Sequence, residues 1–109
     1  MTPTEGSDAS FVAAGLTLFA DLPDTPLRPS PADQSLARRL FTDAVPLPLI
    51  ESALLLGTLR RLSRAPGLPP LPKIRSLAYF LPVIEELQLQ PLPDGYLHCL
   101  RLKLRRLSA

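Results

Sequence analysis

Two small sets of acid–base residues and two sets of cations are the only places where this chain gathers side chains suited to chemistry. The first are the neighbours His98-Cys99 and the pair Glu85-Glu86; the second are Arg60, Arg61 and Arg64, then Arg101, Lys103, Arg105 and Arg106. His98 is the sole histidine and Cys99 the sole cysteine, with Asp94 as the nearest acid. That is too little for an oriented nucleophile–base pair or a zinc site, which needs three or four ligands. Glu85 and Glu86 would point about 100° apart on a helix, so they do not form a two-carboxylate site. Neither a glycine-rich phosphate loop nor a nucleophile elbow is present. The expectation is a protein that is not an enzyme and needs no cofactor and no metal ion.

Binding is the chemistry left. Residues 1–59 hold three basic and seven acidic groups, whereas residues 60–109 hold nine basic and three acidic ones. Such polarity points to an anionic partner for the C-terminal half. Arg60, Arg61, Arg64, Arg101, Lys103, Arg105 and Arg106 are the candidate phosphate contacts of a nucleic-acid interface. Few aromatic residues stand near them, so stacking on single-stranded bases is not expected. The rival reading uses the leucines between the cations. Leu97, Leu100, Leu104 and Leu107 would form an interface for a partner protein or a second copy of the chain. An amphipathic helix lying on a membrane is disfavoured, because that apolar side carries no Trp or Phe anchor.

Which reading applies depends on how "YLHCLRLKLRRL", Tyr96 to Leu107, is folded. As a helix, Tyr96, Leu97, Leu100, Leu104 and Leu107 share one sector about 100° wide and only Leu102 is misplaced. As a strand, Leu100, Leu102 and Leu104 alternate with Arg101, Lys103 and Arg105. "LQLQ" at residues 87–90 would then pair with it across the Asp94-Gly95 turn. The apolar sector runs on to Leu107, beyond the end of the alternation, and Pro91 and Pro93 spoil a tight hairpin. The helix is favoured.

The elements upstream are marked by proline. Fourteen prolines among 109 residues must sit in connections and at helix starts, so short elements joined by stiff loops are expected. Residues 1–8 read as a disordered tail. Asp8 or Ser10 is placed to cap a short helix through residues 9–20, with Gly15 and Thr17 counting against it. "LPDTPLRPSP", residues 22–31, is a linker. In "SPADQSLARRLF" Ser30 is a cap, Pro31 fits the first helical position, and Asp33 stands where a capping-box acid belongs. Leu36, Ala37, Leu40 and Phe41 then form an apolar stripe ending near Ala44. The segment Leu47–Leu62 is apolar around nearly its whole circumference, which predicts a central buried helix. Gly57 within it is expected to admit a neighbour's backbone. "APGLPPLPK", residues 65–73, is a proline-stiffened strap. Ser76 caps the next helix, where Leu77, Phe80, Leu81, Ile84 and Leu87 make the buried face. Pro82 should turn its first turn into a kink or a 3₁₀ segment.

With one cysteine, no intrachain disulfide is possible. The acidic N-terminus does not read as a signal peptide, and no run of about 18 apolar residues is present, so a cytoplasmic protein is expected, without membrane attachment. The predicted fold is all-α: a small bundle of about four short helices joined by proline-rich loops. The alternative is a winged-helix-like α+β fold with a C-terminal hairpin. The predicted organisation is a flexible acidic segment over residues 1–29 and a single helical domain over residues 30–109.

Residues 30–107 also resemble the helical C-terminal part of certain bacterial helix-turn-helix proteins linked to replication or mobile elements. The likeness rests on "ARRLFTDAVPLPLIESALLLGTLRR", the strap that follows, the run Tyr79-Phe80-Leu81-Pro82-Val83-Ile84-Glu85-Glu86, and "PLPDGYLHCLRLKL". It implies a helical accessory region in a DNA-handling assembly, associating with nucleic acid or with a DNA-bound protein, and it transfers no catalytic residue. The chain holds no counterpart of the upstream DNA-reading domain, so sequence-specific binding by this chain alone is not expected.

Overall fold

Helices account for nearly all the regular structure in the computed structural model, which describes residues 3–26, 28–64 and 67–108. Met1 and Thr2 of the expected tail, Leu27 of the first linker, and Ala65 and Pro66 of the strap lie outside the described residues. Among the described residues five α-helices follow one another: α1 Pro3–Ala20, α2 Pro31–Thr42, α3 Leu47–Leu62, α4 Leu81–Leu89 and α5 Tyr96–Ser108. A 3₁₀ turn, Leu77–Phe80, runs directly into α4. Among the described residues there is no strand, so the winged-helix alternative gives way to the all-α fold. Residues 96–107 coil where that alternative needed a hairpin.

The arrangement is centred on α3. Helices α1, α4 and α5 all pack on it, and α2 packs on α1 and on the 3₁₀ turn. Ile50, Ala53, Leu54, Leu55 and Leu59 of α3 are buried, as expected of a helix apolar on every side. Two polar residues share that interior. Ser52 and Thr58 donate their hydroxyls to the carbonyls of Pro48 and Leu54, both at 2.8 Å, which satisfies each group within its own helix.

Gly57 accommodates a side chain where a backbone had been expected. A methyl group at this position would lie 2.9 Å from two ring carbons of Phe80 and 3.6 Å from Val83. Phe80 is fully buried, and its ring also meets Phe19 of α1 edge to face at 6.2 Å. One aromatic residue thus joins α1, α3 and α4 at the middle of the core.

The N-terminal helix begins at Pro3, inside the segment expected to be disordered, and residues 9–20 belong to it. Phe19 and Leu22 are buried in the common core, and Phe11 packs edge to face on Phe41 of α2 at 5.2 Å. Burial of these side chains outweighs the low helix propensity of Gly15, which has open space around it. Phe19 and Leu22, which fall within the segment expected to be flexible, are therefore part of the same core as the helices that follow.

The start of α2 has the predicted geometry and an unpredicted extension. Ser30 accepts from the Asp33 N–H at 3.1 Å, and the Asp33 carboxylate accepts from the Ser30 N–H at 2.9 Å, which completes the capping box. The other carboxylate oxygen reaches far along the chain. It accepts from the Leu77 N–H at 2.9 Å and from the Ser76 hydroxyl at 3.2 Å. Ser76 in turn accepts from the Ala78 N–H, capping the 3₁₀ turn. That turn comes just before Pro82, as expected.

Asp33 is 1% exposed. Burial pushes its carboxyl up, but the Leu77 and Ser30 N–H groups and the two serine hydroxyls together hold it below the ordinary value of 3.8. A carboxyl lowered in this way contributes stability that is complete above its unfolded-state value and is lost as the pH falls through the lower folded value. Asp33→Asn should therefore cost about 1–3 kcal/mol at neutral pH. The deficit relative to the natural sequence should shrink between neutral pH and about pH 2, as falling pH removes the contribution of the ionised carboxylate. Urea unfolding at the two pH values measures this, and an equal deficit at both would contradict the role given to the ionised carboxylate.

Candidate functional site

The seven cations proposed to contact phosphate divide into two groups in the folded chain. Arg60, at the end of α3, donates both terminal nitrogens to Glu86 of α4, at 2.9 and 2.7 Å. Arg61 donates to the carbonyl of Pro72 at 2.9 Å and to the Tyr79 hydroxyl at 3.2 Å, and lies 3.6 Å from the Asp24 carboxylate. Its guanidinium also sits over the Tyr79 ring, 5.4 Å from the centroid. Arg64 donates to the carbonyl of Pro69 at 2.9 Å. Arg101, on the first turns of α5, makes a two-pronged pair with Glu51 of α3 at 2.7 and 2.6 Å. These four residues are tied to their own chain.

The reason is legible afterwards in the strap. A proline-rich segment has carbonyls but few N–H groups and no ladder to pair them with, so donors must come from elsewhere. The guanidinium forks of Arg61 and Arg64 supply them. On the other side the strap is fixed by the N–H of buried Ile74, which donates to the Asp24 carbonyl at 2.8 Å. Three arginines directly ahead of a run of prolines were the available signal. The expectation of phosphate contact passes over it, because the spacing alone does not show that the chain folds back.

The ion pairs shift titration as their geometry requires. The hydrogen bond from Arg60 holds Glu86 below the usual carboxylate range, and the bond to Glu86 pushes Arg60 further up. Arg101 is likewise pushed up, first by its hydrogen bonds to Glu51 and then by that residue's charge.

Lys103, Arg105 and Arg106 are different. All three are exposed on the second half of α5, and among the described residues none is ion-paired with a carboxylate. Lys103 lies 5.7 Å from the centroid of the Tyr96 ring one side of the helix below it.

The leucine set is also divided. Leu100 is buried against the core, Leu97 and Leu104 are partly buried against it, and Leu107 is 52% exposed. The face proposed for a partner is in large part the face by which α5 packs on α3. Beyond Leu100 the two helices leave a groove of about 400 Å³. Leu56, Leu59, Tyr96, Leu100 and Leu107 line it together with Arg60, Ser63, Lys103 and Arg106, and the exposed Lys103 and Arg106 form its rim. A second hollow, about 490 Å³, lies among the prolines of the turns at residues 46–48 and 91–93. Among the described residues its one carboxylate is Asp94, and the Ser52 hydroxyl that borders it is already donated within α3.

His98 and Cys99 are exposed side by side on α5. Among the described residues no three His, Cys, Asp or Glu side chains converge as a metal site. No described helix is long and apolar enough to cross a membrane.

The division between engaged and free cations has a measurable consequence. A double-mutant cycle on Arg101→Ala and Glu51→Ala should give a coupling of about 0.5–1 kcal/mol, the range for a well-aligned exposed pair. Arg105→Ala and Arg106→Ala should each leave stability within about 0.5 kcal/mol. Denaturant unfolding of the natural protein and the five variants checks both statements. No protein-family model matches this chain, and neither a curated protein nor a solved structure matches it.

Proposed function

We propose that this chain is a non-enzymatic interaction module whose working surface is the side where α5 lies along α3, and that it acts as a protein–protein adaptor. One observation carries this reading. Four of the seven cations assigned to phosphate, Arg60, Arg61, Arg64 and Arg101, are hydrogen-bonded within the chain, while an apolar groove stays open beside the remaining ones. A duplex-binding surface needs free charge along the backbone and has no use for a leucine-lined cleft. Protein interfaces combine an apolar centre with a polar rim, which is the composition found between α3 and α5.

A second reading retains the nucleic-acid role on the strength of Lys103, Arg105 and Arg106, which are exposed together at the end of α5. In that reading the module sits in a DNA-bound assembly of the replication or mobile-element kind and touches phosphate only with this tip.

Titration of a DNA duplex at about 50 and 200 mM salt separates the two. With three free cations, the log–log slope should be no steeper than about −2.7, at about −0.9 per phosphate. Binding should be negligible at the higher salt. A steeper slope, or binding that survives at 200 mM and is lost in an Arg105→Glu, Arg106→Glu double variant, would put the nucleic-acid reading first.

A further inference from the structure

Resting on the adaptor reading, we infer that the occupant of the α3–α5 groove is an amphipathic helical segment of a partner protein, with apolar anchors on one face and Asp or Glu beside them. The floor of the groove, Leu56, Leu59 and Leu100, asks for apolar side chains. Its walls are two helices lying side by side, the form of cleft that accepts a helix by its i, i+3/i+4, i+7 residues. Leu107 extends the apolar surface outward where an incoming helix would lie.

Charge selects the kind of helix. Lys103 and Arg106 stand on the rim one turn apart, and neither is ion-paired among the described residues. The third rim cation, Arg60, already has its carboxylate in Glu86. An acid on the incoming helix would meet Lys103 or Arg106 at the edge of an apolar contact, where water is partly excluded and the attraction is strengthened. A second copy of this chain does not fit the same demand. Docking one α5 on another would bring together two surfaces that both carry Lys103, Arg105 and Arg106, and like charge on the two sides opposes association.

The test begins with selection of the full chain against a random peptide library of about 14 residues, about four helical turns. The expected winners carry apolar residues at helical spacing with Asp or Glu next to them. Binding of a winning peptide, followed by calorimetry, should weaken about tenfold or more in Leu107→Asp and in the Lys103→Glu, Arg106→Glu double variant. Repeating the selection on the double variant should invert the preference toward Lys- or Arg-bearing peptides. All substituted positions are exposed, and a circular dichroism spectrum verifies that each variant is folded.

The outcomes separate the two layers of inference. Winners that are neutral or basic, yet lose binding in Leu107→Asp, overturn the acidic partner and leave the adaptor reading standing. An absence of winners, or winners indifferent to Leu107→Asp, overturns both. Self-association of the chain that Leu107→Asp abolishes would make a second copy the occupant and overturn the acidic helix.

Discussion

The carboxylate of Asp33 is the joint on which the rest of this small structure turns. One oxygen closes the N-terminus of α2 through Ser30; the other receives Ser76 and the Leu77 N–H from the far side of the sequence. The two halves of the chain are separated by a long, proline-stiffened excursion, and this group fixes where the second half re-enters. Once Leu77 is held there, the 3₁₀ turn can deliver Phe80 only to the centre of the molecule, against Gly57 and Phe19. A buried ionised acid is costly when left alone. Here every hydrogen-bonding partner is also a chain terminus of a helix or a turn, so the same bonds that satisfy the acid cap the elements it joins. Among the described residues no buried side-chain nitrogen or oxygen is left without a partner.

Charge has two occupations in this protein. Most of the arginine near the end of α3 is architectural: it meets carbonyls of the strap and carboxylates of neighbouring helices. Three prolines in close succession make a connection that cannot pair with itself, and arginine offers more donors in one plane than any other side chain. Of the seven cations considered for phosphate, the three at the tip of α5 are the ones that make no ion pair or hydrogen bond among the described residues. The polarity seen in the sequence therefore has a structural share, and the charge left over for any partner is smaller than the composition implied.

Much of the fold was readable because the determining interactions are local. The Ser30-Pro31-Asp33 signature, the all-round apolar character of α3 and the effect of Pro82 each act within a turn or two. The helical form of residues 96–107 was readable from the persistence of the apolar sector to Leu107. What escaped were the relations between distant residues. Nothing near Asp33 shows that its second oxygen will receive Leu77, and nothing near Arg61 shows that Pro72 and Asp24 will come to it. The extent of α1 escaped for a related reason: its propensity is low, and its stability comes from burying Phe19 and packing Phe11 on Phe41. The candidate surface was half legible. The helical form of residues 96–107 and its two sets of side chains were in view, but the sequence could not tell which leucines α3 would claim and which cations the fold would consume.

The contact between Gly57 and Phe80 also constrains how a sequence of this kind can change over time. A side chain cannot be gained at position 57 while the ring occupies the space, and the ring cannot readily be given up while it binds three helices together. The two positions form a ratchet: the viable path runs first through a smaller residue at position 80, with its temporary void, and only then through alanine at position 57. Lineages that took that path would have a differently filled centre, and lineages that did not would keep glycine and an aromatic residue as a linked pair.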